Sequence, residues 1–124
     1  LRERVSRDIE RWRLDGRRIA VYGAGAHTEA LFAHTALRDA ELVAVVDGNP
    51  EKQGSCFAGL PVLAPESLPT LAIDVVVVSS FDFQREMVET VQRVCTASAP
   101  EIVTFYESPR AFSNFAGSLD EEPR

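Results

Sequence analysis

An unbroken run of β-branched residues constrains the fold of this chain most. Residues 74–78 read Asp-Val-Val-Val-Val, with no alternation of apolar and polar side chains. A strand with one face in solvent alternates, whereas a strand covered on both faces does not, and such strands are typical of parallel sheets. The run therefore predicts a central strand of a parallel sheet with helices on both faces.

Helical and strand segments alternate along the rest of the chain. Apolar residues recur at helical spacing in three segments, which are 2–14, 26–38 and 83–96. Four further apolar runs have the length of strands, and they are 18–22, 41–46, 59–63 and 101–106. This alternation predicts an α/β fold of Rossmann-like type. We expect a doubly wound parallel sheet of about five strands, in the order 3-2-1-4-5, within a three-layer α/β/α arrangement.

Finer features of these segments also follow from the sequence. Pro61 predicts an edge position for the 59–63 strand, because proline lacks the amide that a central strand uses. Asp82 is predicted to cap the 83–96 helix. Apolar spacing assigns a core face to two helices. In helix 26–38 the residues predicted to face the core are Ala30, Leu31, Ala33 and Leu37, with His34 left open. In helix 83–96 they are Phe83, Met87, Val88, Val91, Val94 and Cys95.

The chain has the length of one domain, at 124 residues. We expect residues 1–16 to form an N-terminal helix that packs on the domain. Residues 17–107 are predicted to form the Rossmann-like nucleotide-binding domain. A partly flexible tail is expected over 108–124, with Phe112 and Phe115 as its anchors.

The composition narrows the classes of function. The net charge is −6, which disfavours a nucleic-acid partner because phosphate backbones require a basic surface. Cys56 and Cys95 form no CxxC pair, so no metal site is expected. The sequence has no apolar run of membrane-spanning length and no signal peptide at its start, and we therefore expect a cytoplasmic protein without a membrane span.

A glycine turn between the first strand and the following helix predicts a phosphate site. Gly23 permits a tight turn out of the strand, and Gly25 lets the backbone approach a pyrophosphate. The free amides of the turn and of the helix start, with Ala24 and Ala26 among them, point at the anion. The third glycine position of the usual pattern holds Thr28, which predicts either looser packing of helix on strand or a hydroxyl aimed at phosphate.

Asp47 ends the second strand, about 20 residues after the glycines, where an acid typically accepts ribose hydroxyls. A carboxylate at this place disfavours a ribose 2′-phosphate through like-charge repulsion. The alternative is structural, because Asp47-Gly48-Asn49-Pro50 is also typical of a turn with an Asx hydrogen bond. Both interpretations stay open at this stage.

Other polar residues are expected at the same end of the sheet. His27 is a candidate phosphate donor or acid and base, and the alternative is an exposed residue at the helix start. Ser79 and Ser80 follow the fourth strand and could contact ribose or phosphate, with Phe81 over a base, whereas Ser80 could also cap the next helix. Lys52 is the only lysine, and no recognisable catalytic constellation is present, so the residues predict a binding site.

Four motifs occur in a fixed order along residues 17–106. They are Gly23-x-Gly25-x-His27-Thr28, Val46-Asp47-x-Asn49-Pro50-x-Lys52-x-Gly54, Gly59-x-Pro61-Val62 and Val76-Val77-Val78-Ser79-Ser80. Together they resemble the small Rossmann modules, often called CoA-binding-like, of bacterial polysaccharide biosynthesis. Such modules stand at the front of nucleotide-sugar dehydratases and sugar acyltransferases, and similar ones accompany glycosyltransferases and methyltransferases.

The resemblance implies a ligand such as NAD or another nucleotide, or a degenerate regulatory site, with the reaction in a separate domain. The resemblance also implies that Gly23, Gly25 and Asp47 bind this ligand. It implies the same role for His27, Thr28 and Ser79.

The residues and the resemblance favour the first of three functions, and the other two are its alternatives. The first is a nucleotide-binding module of a larger enzyme that modifies nucleotide sugars, non-catalytic by itself, working with a partner catalytic domain or a second copy of the chain. The second is a fragment of an NAD-dependent oxidoreductase or dehydratase. The third is an interaction or dimerisation module with a vestigial cleft.

Overall fold

The computed structural model describes residues 2–106. The tail predicted for 108–124, with Phe112 and Phe115, lies outside the described residues. Helix α1 spans Arg2–Leu14, α2 spans Ala26–His34 and α3 spans Gln84–Val94. The strands are β1 Ile19–Tyr22, β2 Leu42–Val46, β3 Cys56–Phe57, β4 Leu60–Leu63, β5 Val75–Val78 and β6 Glu101–Val103. Two short 3₁₀ segments lie at Leu37–Asp39 and Pro65–Thr70.

The strands form one sheet in the order β3-β4-β2-β1-β5-β6. All neighbouring pairs are parallel except β3 with β4, which is antiparallel. The predicted α/β fold class is therefore confirmed. The sheet has six strands where about five were expected, and the order differs from the predicted one by the additional strand β3 at the edge.

The edge position predicted for the 59–63 strand is wrong. Strand β4 lies between β2 and β3, because the chain turns back at Ala58-Gly59 and pairs Cys56 with Pro61. Pro61 has no amide hydrogen, and the hairpin uses its neighbour instead: the Val62 N–H donates to the Ser55 carbonyl at 2.9 Å. Proline is compatible with an inner strand here because the partner strand is only two residues long.

Side chains of the central strands alternate between two core layers. Val75 and Val77 of β5 pack in the layer that contains α1 residues such as Ile9 and Trp12. Val76 and Val78 pack in the opposite layer with Val91 of α3. All four valines of β5 are buried, as a strand covered on both faces requires. Because β1 pairs in parallel with both β2 and β5, the carboxyl ends of these three strands lie beside one another.

Helix α2 is shorter than predicted. It ends at His34, where Thr35 follows in extended conformation and its hydroxyl donates to the Leu31 carbonyl. Ala30, Ala33 and His34 are exposed, so the predicted inward face is wrong for the two alanines. The apolar residues of α2 that pack on the core are Leu31 and Phe32.

The start of α3 also differs from the prediction. Asp82 does not cap the helix, because Phe83 occupies the N-cap position without a side-chain hydrogen bond. Ser80 Oγ accepts a hydrogen bond from the Phe83 N–H at 3.0 Å, as in the capping alternative. Phe83 is 60% exposed and does not belong to the buried stripe. None of the described helices combines the length and apolarity that a bilayer-spanning helix needs.

Candidate functional site

An open cleft of about 340 Å³ lies at the carboxyl ends of β1, β2 and β5. Here the chain leaves β1 for one side of the sheet and β5 for the other, and ligands of doubly wound sheets bind at this switch point. Its lining includes most of the predicted site. The residues are Gly23, Ala24, Gly25, Ala26, His27, Asp47, Lys52, Ser79, Ser80, Phe81, Asp82, Phe83 and Met87.

Gly23 is required by packing. Its φ is +124°, and a Cβ placed on it would lie 2.7 Å from the carbonyl oxygen of Ser79. Its N–H donates to the Val46 carbonyl at 2.8 Å, which ties the turn to β2. A side chain at this position would both strain the backbone and collide with the end of β5.

Gly25 is open to the cleft. It is the N-cap of α2 with φ −148°, in the extended region, and no side chain caps the helix. A Cβ on Gly25 would meet only the Lys52 ammonium nitrogen, at 3.8 Å. The first amides of a helix have no intrahelical acceptor, and together with the helix dipole they favour an anion at this end. The turn therefore has room for a phosphate against the backbone.

Thr28 braces the glycine turn from inside. It is fully buried, and its hydroxyl donates to the Gly23 carbonyl oxygen. Its Oγ1 also lies 2.8 Å from Ser79 Oγ. Neither alternative predicted from the missing third glycine describes this arrangement, because the hydroxyl points into the turn and the packing is close.

His27 is not exposed in water, contrary to one of the two sequence interpretations. Its Nδ1 lies 2.7 Å from Ser79 Oγ, and its Nε2 lies 2.7 Å from the Tyr106 hydroxyl. Its ring also packs near Phe105, with centroids 5.7 Å apart. Burial lowers the pKa of His27 below its ordinary value of 6.5, which favours the neutral imidazole.

The hydrogen bonds of this group run in one direction. The Thr28 hydroxyl hydrogen is used on Gly23, so Thr28 accepts from Ser79. Ser79 then accepts from the Nδ1–H of His27. The remaining ring nitrogen, Nε2, accepts from the Tyr106 hydroxyl. These four side chains therefore form a chain that ends on the backbone of the glycine turn, with His27 as the Nδ1–H tautomer.

The Asp47 carboxylate bridges the glycine turn and its own loop. Oδ2 accepts from the Ala24 N–H at 2.8 Å, and Oδ1 accepts from the Asn49 N–H at 2.8 Å. The second bond is the Asx turn of the structural alternative. Each carboxylate oxygen has a further lone pair, so a ribose hydroxyl has acceptors here, and ribose binding by Asp47 stays a proposal.

Lys52 completes the site, and sequence reasoning did not assign it there. Its Nζ donates to the Ala24 carbonyl oxygen at 2.7 Å. The loop of residues 47–52 thus holds Ala24 at both its N–H and its carbonyl. The sequence does hold a signal for this contact: Lys52 follows Asp47 by five residues, and a loop of this length can fold back over the turn.

Aromatic side chains border the site. The rings of Phe81 and Tyr106 have centroids 5.0 Å apart, and Phe83 is largely exposed at the rim. Ser79 is buried, and its N–H donates to the Tyr22 carbonyl at 2.9 Å.

Within residues 2–106, no group of three or more His, Cys, Asp or Glu side chains is placed to hold a metal ion.

Comparisons with known proteins identify a family and a fold. A family model described as the C-methyltransferase C-terminal domain matches residues 1–105. The match agrees with the resemblance in part, because similar Rossmann modules accompany methyltransferases, whereas the polysaccharide-biosynthesis family is not the one matched. A search of curated proteins finds no matching relative.

Solved structures share the fold at low identity. UDP-D-quinovosamine 4-dehydrogenase from Vibrio fischeri matches with a TM-score of 0.57 and 20% identity, over 79% of this chain and 84% of that one. RSP, a Rex-family repressor solved in complex with β-NAD⁺ and operator DNA, matches with a TM-score of 0.55 and 18% identity. That match covers 86% of this chain and 58% of the repressor. RSP in complex with β-NADH matches at 13% identity, over 87% of this chain and 64% of that one, with a TM-score of 0.53.

Proposed function

The chain belongs to the family of C-methyltransferase C-terminal domains, and we propose that it holds the nucleotide part of a nucleotide-sugar substrate for such an enzyme. Transfer of a methyl group to carbon is the work of a partner catalytic domain. The proposal implies a setting in cytoplasmic sugar-nucleotide chemistry of the kind that supplies polysaccharide biosynthesis in bacteria.

One observation carries this proposal. The Gly25 turn presents the uncapped start of α2 to an open cleft at the switch point of the sheet. Backbone amides there suit a diphosphate, and Asp47 offers acceptors to an unphosphorylated ribose. Two of the matched structures are UDP-D-quinovosamine 4-dehydrogenase and RSP in complex with β-NADH, which supports a nucleotide, NAD included, as the ligand class.

The test is a thermal-shift titration with UDP-sugars, dTDP-sugars, GDP-sugars, NAD, NADP and CoA. A ligand at 100 times its dissociation constant adds about 2.7 kcal/mol to the free energy of unfolding. We expect a shift with one nucleotide class and a loss of that shift in Gly25→Val. The extended backbone of Gly25 and the space around it allow the protein to fold with valine.

Gly48→Val is the matched control. A Cβ on Gly48 would meet no atom within 4 Å, and Gly48 is not among the residues that line the cleft. This variant should keep the full ligand shift. Equal binding by wild type and Gly25→Val would contradict the placement of the site.

A second candidate function is an interaction module with a vestigial cleft. The observation that favours it is the internal use of Thr28, Ser79 and Asp47, whose side chains bind other parts of the protein. A folded wild-type chain that shows no shift with any of the nucleotides would support this candidate over the first.

A further inference from the structure

Most side-chain hydrogen-bond donors in the cleft are already used by the protein. The Thr28 hydroxyl donates to Gly23, the Ser79 hydroxyl to Thr28, and the His27 Nδ1–H to Ser79. The donors that remain among the described side chains of the cleft are the Ser80 hydroxyl and the Lys52 ammonium. An ammonium has three hydrogens, and Lys52 uses one of them on the Ala24 carbonyl.

The charges of the side chains that line the cleft also favour Lys52 as the group that pairs with a phosphate. Asp47 and Asp82 are the acidic residues that line it, and Lys52 is the only Lys or Arg among the described lining residues. His27 adds no positive charge at neutral pH, because burial lowers its pKa. A ligand with several phosphate charges therefore has one side-chain cation to pair with.

Lys52 lies beside the place proposed for the first phosphate, within reach of a phosphate that adjoins it. Its Nζ is 3.8 Å from the place of a Cβ on Gly25, where the backbone lets an anion approach. Lys52 is exposed, so its long side chain can turn toward a ligand. Its loop does not depend on this bond, because the Gln53 side chain donates to the Asp47 carbonyl and the Gly54 N–H donates to the Val62 carbonyl, both at 2.8 Å.

We propose that Lys52 is the residue that selects nucleoside diphosphates over monophosphates in this cleft. The amides at the start of α2 hold one phosphate, and the Lys52 ammonium pairs with the next. This inference rests on the proposed function, because it assigns a specificity to the same site.

The experiment is calorimetric titration of the full chain with UDP and UMP, and with ADP and AMP. The measured quantity is the ratio of the monophosphate to the diphosphate dissociation constant. We expect Lys52→Met to lower this ratio about 10-fold, the size of one charge-assisted hydrogen bond. Lys52→Arg retains the charge and should keep most of the ratio.

Arg17→Met is the matched control, because it removes one positive charge from an exposed residue before β1, at the opposite end of the strands. It should leave the ratio unchanged. Thermal unfolding of each variant without ligand checks that the turn is intact.

Three results would overturn the inference. If Lys52→Met weakens UDP and UMP equally, Lys52 contacts the first phosphate and does not select. If Arg17→Met lowers the ratio as much as Lys52→Met, the effect is long-range charge. If Lys52→Met changes the dissociation constant of neither UDP nor UMP, nucleotide binding stands and only the role of Lys52 fails. The absence of binding by the wild type to any nucleotide, by contrast, is the failure of the proposed function itself.

Discussion

At the scale of single residues, the two glycines of the turn have different roles. Gly23 is fixed by the protein's own packing, since its φ is positive and a Cβ would lie 2.7 Å from a backbone oxygen. Gly25 has an extended backbone and open space, so the fold does not require the absence of a side chain here, and only the proposed ligand would. The sequence placed both glycines correctly at the turn but could not separate these roles, because they depend on β5 and Lys52.

The pH dependence of stability should carry a contribution from His27. Burial lowers the pKa of His27 in the folded protein below 6.5, so the unfolded chain binds more protons in the range between the two values. The free energy of unfolding therefore falls as pH drops from about 7 through 6.5 toward the folded pKa. Above that range the imidazole is neutral in both states and the contribution is complete.

Urea unfolding at pH 7.5 and at pH 5.5 measures this contribution. Because carboxylates also titrate, the useful quantity is the difference between wild type and His27→Asn, which removes the imidazole. We expect His27→Asn to lose part of the pH dependence, and a substitution of the exposed His34 to Asn to retain it. An unchanged pH dependence in His27→Asn would contradict the assignment.

At the scale of elements, the strands that the sequence predicted are those whose own residues form a continuous apolar run. The valine run of β5 and the runs of β1 and β2 are continuous because both faces of these strands are covered. Strand β3 was not predicted, because its two residues are held by pairing with β4 and not by their own pattern. The inward face of α2 was partly wrong, because apolar residues lie around the whole helix and only Leu31 and Phe32 reach the core.

The side-chain network of the site could not be predicted, because it joins segments that are far apart in the sequence. His27, Ser79 and Tyr106 come from the start of α2, the end of β5 and the residues after β6. The sequence indicated that His27 and Ser79 lie near the cleft. Their mutual hydrogen bonds depend on the register of strands far apart in sequence, and Tyr106 gave no signal because it was assigned to a strand.

Helix α1 provides the element-scale prediction. Its Trp12 is 2% exposed and packs in the same core layer as Val21 of β1. Trp12→Ala should lower the free energy of unfolding by about 3–5 kcal/mol, because a large buried ring leaves a cavity. Trp12→Phe should cost much less, since among the described residues the Trp12 indole N–H has no hydrogen-bond partner.

Leu14 is the control on the same helix. It is 73% exposed, and Leu14→Ala should change the free energy of unfolding by no more than about 0.5 kcal/mol. Urea denaturation measures all three variants. A small effect of Trp12→Ala would mean that α1 is not part of the core, and the domain would then begin after it.

At the scale of the whole molecule, charge argues against a nucleic-acid partner. RSP, one of the matched structures, was solved with operator DNA, but its fold alone is what this chain shares. The net charge here is −6. Arginines of α1 also lie close to acids, with Arg11 3.6 Å from Asp8 and Arg13 2.7 Å from Glu10, so the helix presents mixed charge.

We therefore expect this chain not to bind DNA. Protein that binds duplex DNA without sequence preference does so at about 10⁻⁴ to 10⁻⁶ M at physiological salt, and low salt tightens this binding because counterions are released. Fluorescence anisotropy of a short labelled duplex at low salt is thus the most sensitive condition. We expect no binding there up to the highest protein concentration that stays in solution. Binding that weakens steeply as salt is added would contradict this prediction, since it would require a basic surface despite the net negative charge.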